Sequence, residues 1–240
     1  MSKKNSYLTR LPAHARKTGD AARGQIEIVT ARKDVKRIES ECAGELTGSA
    51  LGKSGKRLGI LLEDEVRMIV RDPLRFPSGA VKCQMRVIGK TEFDGPNGVA
   101  VLATLDGRFV MREIFRHPTR SMELETTRGR RETGQTARQA ARAEIRQELG
   151  FTVRKLHRLG SILPETALLS SSIDVFMAEL APGKKKDDPD SGEAFGKIVF
   201  LSPEELARRI SAGKIRDGYT VAALLLAQLK GLIAPLQAVS

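Results

Sequence analysis

Short apolar runs bounded by turn residues dominate this chain, and they predict strands more often than helices. Residues 58–70 and 82–90 are such runs, with Phe76, Pro77, Ser78 and Gly79 as a turn between them. Residues 99–105 and 108–115 flank Asp106-Gly107, a dipeptide that tolerates positive φ, and predict a β-hairpin. Further strands are expected at 156–163, 173–180 and 198–201. Ser202, Pro203 and Glu205 predict a helix start with a side-chain cap and a proline in the first turn, and a last apolar helix is expected after Asp217-Gly218. Upstream, residues 25–30 predict a short strand and 31–45 carry a partial helical pattern. Many strands flanked by few helices indicate an α+β fold with a layered sheet.

One segment breaks the strand rhythm. From Thr136 to Leu149 the apolar residues Ala137, Ala141, Ile145 and Leu149 recur every fourth position, which places them on one face of a helix. Thr136 with Gln139 predicts a capping box, and Gly150 suits the left-handed residue that ends a helix. Glu144 and Glu148 share a different face, with Gln147 beside them. Two carboxylates at this spacing repel by a few tenths of a kcal/mol unless a cation lies between them. A hard ion such as Mg²⁺ prefers such oxygen ligands and completes its shell with substrate phosphates.

The stretch from Gly129 to Phe151 resembles the Nudix box, G-x5-E-x7-R-E-U-x-E-E-x-G-U with U apolar. Gly129, Glu144, Ile145, Glu148, Gly150 and Phe151 match in register. Gln135, Ala143 and Gln147 stand where the pattern has Glu, Arg and Glu. Phe115, Arg116, His117 and Pro118, then the run from Arg120 to Gly129, resemble the approach to the box in ADP-ribose pyrophosphatases, with Thr127 in place of the usual proline and Met122 near the usual tryptophan. The likeness extends over roughly residues 65–235.

The resemblance implies a Nudix-type α/β/α sandwich with a mixed sheet over 61–240, preceded by a basic N-terminal extension over 1–60. It implies a pyrophosphatase that uses Mg²⁺ or Mn²⁺ to cleave a nucleoside diphosphate derivative such as ADP-ribose, and a homodimer. Glu144 and Glu148 would hold the ion, with the backbone carbonyl of Arg128, and with Gln147 they form the expected catalytic group. Glu193, from a late loop, would act as base or orient water. Arg116 and Arg128 would bind phosphate in bidentate fashion; Glu123 or Glu125 would orient an arginine or join the metal shell, and Glu125 is also a candidate for binding substrate. Gln147 brings no charge, so fewer ions are expected, and loss of the Glu–Arg pair at 135 and 143 predicts a less rigid loop. The alternative is a catalytically weak or inactive Nudix module that binds a nucleotide, a protein or a nucleic acid.

Composition changes this picture in one place. The net charge is +12, and residues 1–60 carry thirteen Lys and Arg against six Asp and Glu. Such an arm can contact nucleic-acid phosphates, yet Tyr7 is its only aromatic residue, so a solvated, partly flexible extension is the plainer expectation, with residues 1–24 weakly ordered. Gly48 to Ser54 fails as a phosphate loop, because three residues rather than four separate its glycines. No apolar run is long enough to cross a bilayer and no secretory leader is evident, so a cytoplasmic location is expected. Cys42 and Cys83 lack ligand spacing and are expected to stay reduced.

Overall fold

The computed structural model describes residues 7–45, 58–90, 96–182 and 195–237. Most of the linker expected at 44–56, and Glu193 with its loop, lie outside the described residues. The chain divides into two compact units, one made of 1–95 with 165–171 and the other of 96–164 with 172–240. The boundary expected near residue 60 therefore falls inside a strand of the first unit.

In that first unit, β1 (Glu27–Ile28), β2 (Gly59–Glu63), β3 (Arg67–Arg75) and β4 (Val81–Gly89) form one antiparallel sheet. β3 is its centre, pairing with β4 along its whole length and with β2 and β1 on its other edge. Helix α1 (Arg32–Glu45) packs on β4. Residues 7–26, which precede β1, are ordered, contrary to expectation. Tyr7, Leu11 and Ala15 recur every fourth position through two short 3₁₀ turns and are buried against Met68, Val70 and Ile88. Three apolar side chains removed from water offset the entropy of holding a polar segment in place. Arg10 pairs with Glu63 at 2.6 Å, and Arg16 donates to the carbonyls of Leu11 and Thr9, so part of the arm's charge is engaged within the unit. Cys83 also departs from expectation: it is disulfide-bonded, in the small cluster where Val35 and Ile38 of α1 meet Val81 of β4.

The second unit carries the sheet that holds the candidate site. Its strands are β5 (Gly98–Leu105), β6 (Arg108–Arg116), β7 (Ser121–Glu125), β8 (Thr127–Arg130), β9 (Val153–Ile162), β10 (Ile173–Leu180) and β11 (Phe195–Leu201). The order along the sheet is β11-β6-β5-β10-β9, with β5 and β10 parallel and the other pairs antiparallel. β5 and β6 form the expected hairpin, with positive φ at Asp106 and Gly107. They pair only near that turn, over 103–105 and 108–110. Beyond it they diverge, β7 pairs with β6, and β8 pairs with β5.

Side chains alternate along β5, so each of its faces builds a separate core. Val99, Val101 and Ala103 meet Ala140 and Ala141 of helix α2 (Ala137–Glu144) and Ile145 and Leu149 of the turn that follows it. Leu102 faces the other way, into a cluster with Leu206 of α3 (Pro203–Ser211) and Ala223 and Leu224 of α4 (Gly218–Leu229). A mixed sheet between helical layers is the expected α/β/α sandwich. Among the described residues no helix is long and apolar enough to cross a membrane.

Candidate active site

The site grows from the ends of β6, β7 and β8 and from the helix that follows. Thr136 and Gln139 make the expected capping box, and Gly150 ends the segment at φ 73°. The expected plain helix is modified in its last turn, because Ile145–Leu149 widens into a π-turn. Such turns are rare and recur at functional sites. Ile145 and Leu149 stay fully buried through it, so the wider turn is anchored by the core while Glu144 and Glu148, each half-buried, lie off that face.

Gly129 explains why Glu144 can sit where it does. A methyl group built on Gly129 would overlap the Glu144 carboxylate. The first glycine of the box is thus a cradle for the first acid of the helix, and β8 is packed on the π-turn that carries the second. Gln147 is exposed. Among the described residues no three acidic, His or Cys side chains converge as a metal cage. Two carboxylates beside a glycine backbone fit one Mg²⁺ or Mn²⁺ that takes its remaining oxygens from substrate and water, the usual habit of Mg²⁺.

Glu125 lies at the centre of a charged network. Its carboxylate is almost fully buried and accepts from Arg116 Nε at 3.0 Å and Arg116 Nη2 at 2.5 Å, while Arg128 Nη2 stands 2.9 Å away. Two guanidiniums are thus fixed by one carboxylate, and each keeps about a quarter of its side chain in water. Arg128 also stacks 4.4 Å from the centre of the Tyr219 ring and lies 3.8 Å from Asp217.

Asp217 and Thr220, which open α4, tie this network to the strands. Asp217 caps the helix by accepting from the Thr220 backbone N–H and hydroxyl, both at 2.9 Å. The backbone N–H of Thr126 donates to Thr220 Oγ1 at 2.9 Å, and Thr126 Oγ1 donates to the Val101 carbonyl at 2.5 Å. The segment from Glu125 to Gly129 is therefore clamped from the α4 side. Sequence reasoning located Asp217-Gly218 only as a helix start; its link to Arg128 depends on tertiary contact. Thr127, in place of the family proline, is buried with no hydrogen-bond partner for its hydroxyl among the described residues.

The loop before α2 is closed in spite of Gln135 and Ala143. Arg131 donates to the Gln135 carbonyl through Nε at 3.2 Å and Nη2 at 2.8 Å, and to the Pro96 carbonyl at 3.1 Å. Gln135 Oε1 in turn accepts from the Glu132 N–H. An arginine on the backbone thus serves where the family pattern has a Glu–Arg pair. Glu123, on β7, pairs with Arg216 at 2.8 Å and accepts from Ser121, and these contacts lower its pKa. His117 contacts Arg120, and His157 contacts Glu179.

Comparison with known proteins agrees with this architecture. An ADP-ribose pyrophosphatase of Bacillus subtilis is 28% identical over 179 residues, 74% of this chain and 88% of the relative. A methanol dehydrogenase activator of Bacillus methanolicus is 26% identical over 136 residues, 56% of this chain and 74% of that protein. The crystal structure of an ADP compounds hydrolase superposes with a TM-score of 0.57, covering 73% of this chain and 93% of its own at 21% identity, a likeness of fold. No family model matches the sequence. With the box, the sandwich and these relatives in agreement, the chain is similar to the ADP-ribose pyrophosphatases of the Nudix superfamily.

Proposed function

We propose that the protein hydrolyses the diphosphate bond of a nucleoside diphosphate derivative of the ADP-ribose kind, with Mg²⁺ or Mn²⁺ as cofactor. The observation that carries this reading is the Glu144 carboxylate seated on Gly129, with Glu148 on the π-turn that follows. Water would attack one phosphorus, the bond from that phosphorus to the bridging oxygen would break, and two phosphomonoesters would leave. A bound divalent ion would supply charge for the phosphoryl oxygens and lower the pKa of the attacking water.

The chain's own residues do the rest. Glu144 and Glu148 hold negative charge at a fixed place. Arg116 and Arg128, aligned by Glu125, present their remaining N–H groups to phosphate oxygens, where positioned donors stabilise developing charge. Arg131 keeps the loop closed. Gln147 contributes an amide and no charge, so the reading calls for fewer ions than a three-carboxylate box would hold. A homodimer belongs to the same reading, through the resemblance, and sedimentation velocity tests it.

The direct test is incubation of ADP-ribose with the purified protein and Mg²⁺ or Mn²⁺, followed by chromatography of the products. The expected result is metal-dependent release of AMP and ribose 5-phosphate. Binding of ADP-ribose without turnover would instead favour a non-catalytic nucleotide-binding module.

A further inference from the structure

A glycine inside a strand destabilises it relative to alanine, so a buried one marks a place where another backbone comes close. Gly98 opens β5 and is buried, with Arg130 of β8 opposite it on one edge and Ile173 of β10 on the other. A methyl group built on Gly98 would stand 2.9 Å from the Gly129 carbonyl oxygen and 2.9 Å from Ile173 Cδ1. Non-bonded heavy atoms pack at about 3.5–4.0 Å, so each neighbour would have to give by about half an ångström or more.

The two neighbours differ in what they can yield. Ile173 Cδ1 is the tip of a flexible side chain and can turn away. The Gly129 oxygen is backbone and moves only with β8. Nor can β5 retreat, because the residue before Gly98 is held from both edges. The Asn97 carbonyl accepts from the Arg131 N–H at 3.0 Å, and the Asn97 N–H donates to the Ser172 carbonyl at 3.1 Å. Arg131 also grips the Pro96 carbonyl with Nη1 at 3.1 Å. Room at residue 98 therefore decides how closely β8 lies against β5 at Gly129.

Gly129 in turn seats the Glu144 carboxylate. Two glycines thus act in series: Gly98 leaves space for the Gly129 carbonyl, and Gly129 leaves space for the acid. We infer that Gly98 is a positioning residue for the acid pair of the box, setting the place of Glu144 through the Gly129 backbone. The inference rests on the reading of Glu144 and Glu148 as the residues that hold the divalent ion. Gly98 has no side chain with which to touch ion or substrate.

The full-length protein and its Gly98→Ala, Ile173→Val and Gly98→Ala/Ile173→Val variants are titrated with Mn²⁺, with electron paramagnetic resonance reporting the free ion. Glu144→Gln marks the binding that belongs to the box, and crystal structures of the wild type and Gly98→Ala are compared. Expected in Gly98→Ala are a Gly129 carbonyl displaced by about half an ångström and a Glu144 carboxylate displaced with it. Mn²⁺ binding should weaken about tenfold, the scale of half of an ångström-sized misplacement. Ile173→Val alone should bind Mn²⁺ as the wild type does. In the double variant the new methyl gains space on the β10 side, and part of the loss should be recovered. If the crowded single variant does not fold, the double variant carries the same reading against Ile173→Val. Gly129 and Glu144 in their wild-type positions in Gly98→Ala overturn the inference, with or without the ion, and so does Mn²⁺ binding as tight as that of the wild type. A displaced seat with weakened Mn²⁺ binding, in a protein whose wild type leaves ADP-ribose intact, supports the role of Gly98 and overturns the hydrolase reading instead.

Discussion

The Glu144 carboxylate lies against the α-carbon of Gly129, where no other residue type leaves room for it. Gly129→Ala should therefore move the acid rather than unfold the protein, because the atom displaced is the end of a flexible side chain. A misplacement of about 1 Å at a reacting centre costs about 10²-fold in rate, and a loss of that order in kcat is expected, with the melting temperature little changed. Steady-state kinetics beside thermal unfolding check it; unchanged turnover in the folded variant would contradict the cradle.

Glu125 neutralises two arginines from a buried position. Removing one member of a buried pair costs about 3–5 kcal/mol. Arg116 and Arg128 retain partial contact with water, so Glu125→Gln should lose an amount near the lower end of that range. Denaturant unfolding measures it. The same variant should raise KM for a diphosphate substrate, since both arginines lose their alignment.

Tyr219 and Thr220 are expected to position Arg128 without touching the reacting atoms. Tyr219→Ala removes the ring beneath the guanidinium, and a cation–π contact of this kind contributes about 0.5–2 kcal/mol. KM should rise several-fold, and Tyr219→Phe, which keeps the ring face, should restore it. Failure of Tyr219→Phe to restore KM would show that the hydroxyl, not the ring, matters. Thr220→Val should perturb the Thr126 contact, and Thr220→Ser should preserve it.

Tyr7 supplies a pH test of the first unit. Burial, then the neighbouring Asp72 charge, push its hydroxyl pKa well above the ordinary value. In the unfolded chain the group titrates near pH 10. Above that pH the unfolded state releases a proton that the folded state retains, so stability is full below about pH 10 and falls as the pH rises beyond it. Tyr7→Phe should remove this part of the alkaline slope. At neutral pH it should cost about 1–3 kcal/mol, because the buried Asp72 loses a donor. Chemical denaturation at pH 8 and pH 10.5, compared between the two proteins, reads both effects.

Much of the second unit was legible in the sequence because its signals are local. The capping box at Thr136, the stop at Gly150, the turn at Asp106-Gly107 and the caps at Ser202 and Asp217 each involve residues within a few positions of one another. β7 and β8 were not legible. Their residues Glu123, Glu125, Arg128 and Arg130 are too polar for a strand pattern, and they pair only because β5 and β6 diverge. The order before β1 was hidden in the same way, since Tyr7, Leu11 and Ala15 are sparse apolar points in a polar arm and acquire meaning only against Met68 and Ile88. Arg131 was passed over because its acceptors are backbone carbonyls, which carry no sequence signature. Glu144 and Glu148 were legible as residues, but the seat that Gly129 provides needed three dimensions.

The measurement that tests the central claim most directly compares the wild-type chain with Glu148→Gln, folded to the same degree, in hydrolysis of ADP-ribose with Mg²⁺ or Mn²⁺. The account predicts metal-dependent AMP release by the wild type and a loss of about 10²-fold or more in the variant, the scale of a lost group that positions or stabilises charge at a reacting centre. Equal rates in the two proteins, or no AMP from either, would contradict it.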